Sequence, residues 1–197
     1  MSKADCLTAP REITYDAALA QLLSNPIHEL RTLRGAEPLG TAGTKSLAAG
    51  QSMTIFEKAG ATAFDLELNL TLTDAPLAVS VALLGAAAPG DAGCGANPYC
   101  VALNVTRGPT AAPLVTVVGS GGKMRTSFAL PHGAATLELR ALVDRSVLEV
   151  FVGGGRAAIT SGVGAPPATA RGAYVTAHSA ASVAGAGAWA MGCGWAQ

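Results

Sequence analysis

The chain contains 197 residues, of which 50% are hydrophobic and 13% are charged, and its 13 Lys plus Arg balance its 13 Asp plus Glu. This length predicts one domain with a sizeable core. A formal net charge of zero leaves no basic stripe to neutralise a phosphate backbone, which argues against nucleic acid as a partner. No apolar run reaches the roughly 18 residues of a membrane-spanning helix, so no membrane partner is predicted.

The first part of the chain lacks regular alternation. Pro10 and Pro26 flank a short apolar stretch, residues 17–23, for which the pattern predicts about two helical turns. We interpret residues 1–34 as an inter-domain linker segment that packs on another surface. Residues 35–197 are predicted to form the domain itself.

The clearest strand signal lies at residues 64–72. Apolar side chains from Phe64 to Leu72 alternate there with polar ones from Asp65 to Thr71, as expected of a strand with one buried face. Further strands, separated by Gly, Pro, Asp and Asn, are predicted at residues 77–84, 99–106, 114–118, 123–130, 137–143, 147–152, 156–160, 173–177 and 183–191. Without a long amphipathic helix among them, these strands predict an all-β fold: a two-sheet antiparallel β-sandwich of the jelly-roll or concanavalin-like type, preceded by the linker segment.

Two tandem β-hairpins are predicted within residues 137–161. Asp144, Arg145 and Ser146 carry polar side chains that favour a turn, and the run from Gly153 to Gly155 supplies the positive φ values of a tight reversal. Asp144 and the nearby Glu149 are the strongest acidic candidates in the chain. We expect structural roles for both: Asp144 capping the turn, and Glu149 pairing with Arg140, Arg156 or a neighbouring domain.

No residue pattern predicts a metal, cofactor or catalytic site. His28, His132 and His178 are scattered, and no spacing brings them into a metal site or a triad. The Asn-x-Thr triplets at Asn69 and Asn104 fit the glycosylation acceptor pattern, which often arises by chance.

The four cysteines leave the redox compartment open. Cys94 and Cys100 enclose a loop that can close as a small disulfide, whereas Cys6 and Cys193 lie near opposite ends of the chain. The first residues lack the apolar core of a secretory signal, and the cellular location stays unassigned.

Two segments together resemble one enzyme family. The sequence VDRSVLEVFVGGGRAAITS, from Val143 to Ser161, is similar to a pattern in the carboxy-terminal β-sandwich of glycoside hydrolase family 32, which contains the invertases and fructan β-fructosidases. LTAPRE, from Leu7, and NPIHELRTLR, from Asn25, resemble the segment that joins the family's catalytic β-propeller to this sandwich. Both matches occur in the family's order and spacing.

The resemblance implies a sandwich without its own catalytic site. The family's catalytic carboxylates lie in propeller motifs, Asn-Asp-Pro-Asn-Gly, Arg-Asp-Pro and Glu-Cys, and none of these occurs in this chain. We therefore expect a non-catalytic module that partners a catalytic propeller, in cis or in trans, with a fructan or sucrose-type carbohydrate as a further partner. It would expose an apolar patch around Ile27, Leu30 and Leu33. Candidate structural residues at hairpins or between domains are Glu29, Arg34, Asp144, Glu149 and Arg156.

Two other functions stay open at this point. A free-standing carbohydrate-binding or interaction module would use Trp189 and Trp195 as sugar platforms, although their large apolar area favours packing. An independent hydrolase would need a new site at Asp144 and Glu149.

Overall fold

The computed structural model describes residues 8–85, 94, 97–107, 111–119, 122–165 and 172–192. Within them the chain forms fifteen strands and one 3₁₀ helix. Their order is β1 (Arg11–Asp16), β2 (Gln21–Pro26), the 3₁₀ helix (His28–Leu33), β3 (Arg34–Ala42), β4 (Lys45–Leu47), β5 (Ser52–Glu57), β6 (Ala63–Thr71), β7 (Leu77–Gly85), β8 (Cys100–Thr106), β9 (Leu114–Gly119), β10 (Met124–Ala129), β11 (Thr136–Asp144), β12 (Val147–Val152), β13 (Ala157–Gly162), β14 (Gly172–Ala177) and β15 (Ala181–Met191).

The strands build two large antiparallel sheets and one separate hairpin. One sheet has six strands in the order β10-β9-β8-β7-β14-β5, and the other has the order β13-β12-β11-β6-β15-β3, with β4 also paired to β15. Within the described residues, strands β1 and β2 pair only with each other, as a two-stranded sheet. The predicted two-sheet antiparallel β-sandwich is therefore confirmed, and the hairpin lies outside it.

The core lies between the two sheets and follows the predicted alternation. Phe64, Leu66, Leu68 and Leu70 of β6 are fully buried, and alternate residues of the facing strands complete the same cluster. The ring of Phe56 meets that of Phe64 edge to face, with centroids 5.1 Å apart. Burial of these apolar faces is the dominant force that holds the sheets together.

The segment before the sandwich differs from the sequence-based expectation. Residues 17–20 form a turn and β2 follows, so the predicted helical turns at residues 17–23 are wrong. Seven residues are too few to offset the cost of nucleating a helix. The carboxylate of Asp16 instead accepts hydrogen bonds from the backbone N–H groups of Ala18 and Leu19, 3.0 and 3.4 Å away, which favours the turn.

Two further expectations can be compared with the described residues. Cys94 and Cys100 form a disulfide, which the sequence allowed but did not decide, whereas Cys6, Cys193 and Trp195 lie outside the described residues. Among the helices that the structure describes, none is long and apolar enough to cross a membrane.

Candidate functional site

The two family-like segments, far apart in sequence, meet at the carboxylate of Glu149. This side chain lies on β12 and is only 5% exposed. Its Oε1 accepts hydrogen bonds from the Arg11 guanidinium at 2.6 Å and from the Thr160 hydroxyl at 3.0 Å, and its Oε2 accepts one from the backbone N–H of Ala9 at 2.7 Å. Glu149 therefore fixes the start of the β1–β2 hairpin on the β12–β13 hairpin.

Arg11 makes two more contacts that hold it in this place. It donates a hydrogen bond to the Thr160 hydroxyl, and its guanidinium carbon lies 5.1 Å from the centre of the Phe151 ring, within the range of a cation–π interaction. The expected partners of Glu149 within the chain, Arg140 and Arg156, bind other carboxylates. Pairing with Arg11 depends on how the hairpin folds over the sheet, which no local sequence pattern reveals.

The glycine turn between β12 and β13 forms the second attachment of the β1–β2 hairpin. Gly154 and Gly155 accept hydrogen bonds through their carbonyl oxygens from the Asn25 amide and the Ser24 N–H, each 2.9 Å long. Gly155 has φ +82°, and a Cβ there would lie 2.7 Å from Oδ1 of Asn25 and 2.8 Å from the carbonyl carbon of Ser24. Close approach of the hairpin therefore requires glycine at this position.

Arg156 completes this second attachment. Its guanidinium donates to the carboxylate of Asp16 and, at 2.8 Å, to the carbonyl oxygen of Gly153. The side chains of Arg156 and Asp16 are 11% and 18% exposed, so water screens the ion pair only in part. Arg156 thus joins the glycine turn to the far end of β1.

A third attachment, the arginine cluster, joins the 3₁₀ helix and β3 to the outer face of the sandwich. It consists of Arg31, Arg34, Asp65, Glu67 and Arg140. Asp65 is fully buried and accepts a hydrogen bond from Nε of Arg34 at 2.8 Å and two from Arg140, at 3.0 and 2.7 Å. Glu67 accepts from NH2 of Arg34 at 2.6 Å and from NH2 of Arg31 at 2.8 Å.

The pKa values of this cluster follow from its ion pairs. Burial alone would raise the pKa of the Glu67 carboxyl, but the hydrogen bonds and charges of Arg34 and Arg31 outweigh burial and hold it below its ordinary value of 4.5. Burial alone would also lower the pKa of Arg34, and the bonds to Asp65 and Glu67 raise it instead. Both groups therefore stay charged at neutral pH, as the cluster requires.

The remaining predicted site residues lie in different surroundings. Glu29 and Asp144 are exposed, Glu29 on the 3₁₀ helix and Asp144 at the end of β11. Asp144 and Glu149 both line a cleft of about 720 Å³, together with the expected patch residues Leu30 and Leu33. In the described part of the chain, Asp144 has no side-chain hydrogen bond or ion pair, whereas the Glu149 carboxylate is held by three donors.

Trp189 has one ring face covered. The guanidinium carbon of Arg34 lies 4.1 Å from the centre of a Trp189 ring, in a second cation–π contact. The ring also lies against Gly187, where a Cβ would be 2.5 Å from Cη2 of the indole. Trp189 therefore packs on the outer face of β15, between Gly187 and Arg34.

The β1–β2 hairpin presents an apolar surface on its outer side. Ile13, Tyr15 and Leu22 are 59%, 63% and 68% exposed. Tyr15 lies directly opposite Leu22 in the hairpin, and Ile13 is two residues before Tyr15, so all three side chains share one face. We name these three residues the hairpin face.

Sequence reasoning missed several residues of these attachments. Arg11 lies in the segment that carries the family resemblance, and this was the signal for its importance. Asp65 and Glu67 lie on the predicted polar face of β6, but alternation alone cannot show that arginines cover that face. Among the described residues, no group of three or more His, Cys, Asp or Glu is placed to hold a metal ion.

Comparison with known proteins relates this arrangement to one family. Residues 101–190 match the family model described as glycosyl hydrolases family 32 C terminal. No curated protein sequence matches the chain.

Similar solved structures cover almost the whole chain. The fold is similar to fructan 1-exohydrolase IIa from Cichorium intybus, with a TM-score of 0.68 and 18% identity over 94% of this chain and 41% of that one. It is also similar to the exo-inulinase of Aspergillus awamori, with a TM-score of 0.65 and 17% identity over 95% and 36% of the two chains. A Bombyx mori family 32 β-fructofuranosidase has a TM-score of 0.53 and 20% identity over 93% and 32%. This chain thus spans about two fifths or less of these proteins, and its β-sandwich is similar in fold to theirs and matches, over residues 101–190, the C-terminal domain of glycosyl hydrolases family 32.

Proposed function

We propose that this chain is the non-catalytic C-terminal module of a β-fructofuranosidase-like glycoside hydrolase, and that it supports a catalytic β-propeller which packs on the hairpin face. The propeller would be part of the same polypeptide or a separate one. The observation that carries this proposal is the apolar hairpin face, which is held in position by the two segments that resemble the family.

Burial of the hairpin face against another domain would stabilise the hairpin. A two-stranded hairpin alone is only marginally stable in water, and the attachments of this one to the sandwich are largely polar, through Glu149, Arg156 and the glycine turn. Covering Ile13, Tyr15 and Leu22 would contribute about 1–2 kcal/mol each, since more than half of each side chain is exposed. The structurally similar enzymes have more than half of their length outside the region that this chain matches, which is room for such a covering domain.

The best acidic pair of this chain supports a structural role. Glycoside hydrolysis usually needs one carboxyl group as a proton donor and a second as nucleophile or base. Glu149 is held by an arginine, a hydroxyl and a backbone N–H, and its negative charge stabilises the hairpin attachment. Use of this side chain as proton donor, nucleophile or base would require breaking the hydrogen bonds that attach the hairpin.

A free-standing carbohydrate-binding or interaction module is the alternative function. Its predicted platform, Trp189, has Arg34 over one ring face and Gly187 against the ring, and this arrangement favours packing over stacking on a sugar. We therefore place the accessory role first.

The experiment that tests the proposal changes the hairpin face in the source cells. Tyr15→Lys combined with Leu22→Lys should leave the sandwich folded but lower the β-fructofuranosidase activity that copurifies with the chain, because lysines prevent apolar packing. Leu114→Lys is the matched control, since Leu114 is also exposed, at 46%, but lies on β9 of the six-stranded sheet. If the hairpin variant and the control had equal activity, and their activity survived heating equally, docking at this face would be contradicted. Hydrolysis of sucrose or inulin by the purified chain alone would contradict a non-catalytic role.

A further inference from the structure

The chain contains four asparagines, and the structure divides them into two kinds. Asn25 and Asn97 precede proline and have structural partners: the Asn25 amide donates to a carbonyl oxygen of the glycine turn, and Oδ1 of Asn97 accepts from the N–H of Tyr99, each at 2.9 Å. Asn69 and Asn104 both head an Asn-x-Thr triplet. Both are exposed, and within the described residues neither side chain has a hydrogen-bond partner.

Asn104 occupies a strand position that disfavours asparagine. Asparagine is depleted in strands, because its amide competes with the backbone for hydrogen bonds. Asn104 lies within β8 between the buried Leu103 and Val105, so its side chain points away from the core. No side-chain hydrogen bond in the described part of the chain offsets this low strand preference. The fold itself therefore gives no reason for asparagine at this position.

The two recognition groups of the triplet lie on one open face. Thr106 is two residues after Asn104, so both side chains point outward from the six-stranded sheet, and both are exposed. The residues directly opposite Asn104 in the neighbouring strands are Ala78 and Thr116, which are small and uncharged. Leu114, 46% exposed, lies opposite Thr106. A sugar attached to Asn104 would therefore have room on this face and would lie beside Leu114.

The disulfide indicates an oxidising compartment. Cys100 begins β8, the strand that carries Asn104, and is bonded to Cys94. Structural disulfides form in oxidising compartments such as the lumen of the endoplasmic reticulum and are rare in the cytosol. That lumen is also where asparagine side chains receive oligosaccharides. One compartment would thus account for both the disulfide and a used triplet.

Asn69 has less suitable surroundings than Asn104. It lies opposite Glu138 and lines a cleft of about 340 Å³, together with Asn25 of the hairpin and Arg31 of the 3₁₀ helix. A branched oligosaccharide there would be confined between the hairpin and the sheet. Asn104 belongs to the other sheet, and the hairpin is attached to β12 and the glycine turn. A glycan at Asn104 is therefore compatible with the hairpin attachments.

We propose that Asn104 is an N-glycosylation site and carries an oligosaccharide over the outer face of the six-stranded sheet. In the transfer, the amide nitrogen of the Asn104 side chain forms a bond to the anomeric carbon of an oligosaccharide held on a lipid pyrophosphate. The amide loses one proton, and the lipid pyrophosphate leaves with the electron pair of the broken C–O bond. The Thr106 hydroxyl is the second group that the acceptor pattern requires. This proposal goes beyond the accessory role and does not depend on it.

Peptide mass spectrometry of the native protein from its source cells tests the proposal. Peptide-N-glycosidase in heavy-oxygen water converts a glycosylated Asn104 into an aspartate that carries the heavy oxygen, whereas an unmodified Asn104 keeps its mass. We expect this label at position 104 and its loss in Thr106→Val, which preserves the β-branched shape but removes the hydroxyl. Thr106→Ser is the matched control, because it retains the hydroxyl and should keep the label. Incubation in heavy-oxygen water without the enzyme controls for spontaneous deamidation.

Two results would overturn this assignment. They are an unlabelled Asn104 in the wild-type protein and equal labelling in Thr106→Val and Thr106→Ser. Urea unfolding of both variants checks that the sandwich is intact, and both should unfold at nearly the wild-type urea concentration because Thr106 is exposed. None of these measurements involves hydrolytic activity or the hairpin face, so a failure here is distinguishable from a failure of the accessory role.

Discussion

Replacing Glu149 with alanine should detach the hairpin from the sandwich. The change removes an acceptor that is 5% exposed and leaves the Arg11 guanidinium, 22% exposed, without its carboxylate, and the N–H of Ala9 without its acceptor. Breaking one side of a buried ion pair costs about 3–5 kcal/mol, and the partial exposure of Arg11 favours the lower end, about 3 kcal/mol. For a domain of this size, that corresponds to a fall in Tm of roughly 6–12 °C.

Two measurements distinguish destabilisation of the whole domain from opening of the hairpin alone. Urea unfolding gives the free energy of unfolding, and limited trypsin digestion after Arg11 reports opening of the hairpin alone. Glu37→Ala is the control, because Glu37 is exposed on β3 and should change stability by no more than about 0.5 kcal/mol. If Glu149→Ala matched this control in both assays, Glu149 would not be the attachment point.

Two further predictions concern the other attachments. Gly155→Ala should lower the free energy of unfolding, measured in urea, by more than Gly133→Ala does. Both glycines have positive φ, +82° and +79°, but only the Cβ at position 155 would clash with Asn25. Equal losses of unfolding free energy in the two variants would contradict the close approach of the hairpin to the glycine turn. The lowered pKa of Glu67 means that its ion pairs stabilise the fold above about pH 4.5 and lose this effect as the pH falls through the lowered pKa. Glu67→Gln should therefore make the free energy of unfolding depend less on pH between about pH 3 and pH 7. An unchanged pH dependence would contradict the pairing with Arg34.

The sandwich could be predicted from alternation, whereas its polar attachments could not. The period-two pattern of β6 correctly assigned Phe64 and Leu66 to the core, because strand side chains alternate between faces irrespective of tertiary context. The same pattern placed Asp65 on a polar face, and its complete burial depends on Arg34 and Arg140, which are 31 and 75 residues away. Long-range partners of this kind leave no periodic signal in the chain.

The backbone of the β1–β2 hairpin could not be predicted from local sequence either. The apolar residues at 17–23 fit a short helix by local pattern, but pairing of β1 with β2 and attachment to the glycine turn decide their conformation. Strands β3, β4 and β5 were also missed, since Gly35, Pro38 and Gly40 interrupt the alternation of β3, and β4 is only three residues long. Tertiary pairing overrides weak local preference in each case.

The most direct test of the accessory role is the mass and activity of the native species that contains this chain, isolated from its source cells with an antibody against the sandwich. We predict a species that hydrolyses sucrose or inulin and contains a catalytic propeller, either in one polypeptide well above 19.5 kDa or as a tightly bound second polypeptide. A species of 19.5 kDa that has no bound propeller, whether active or inactive, would contradict the accessory role.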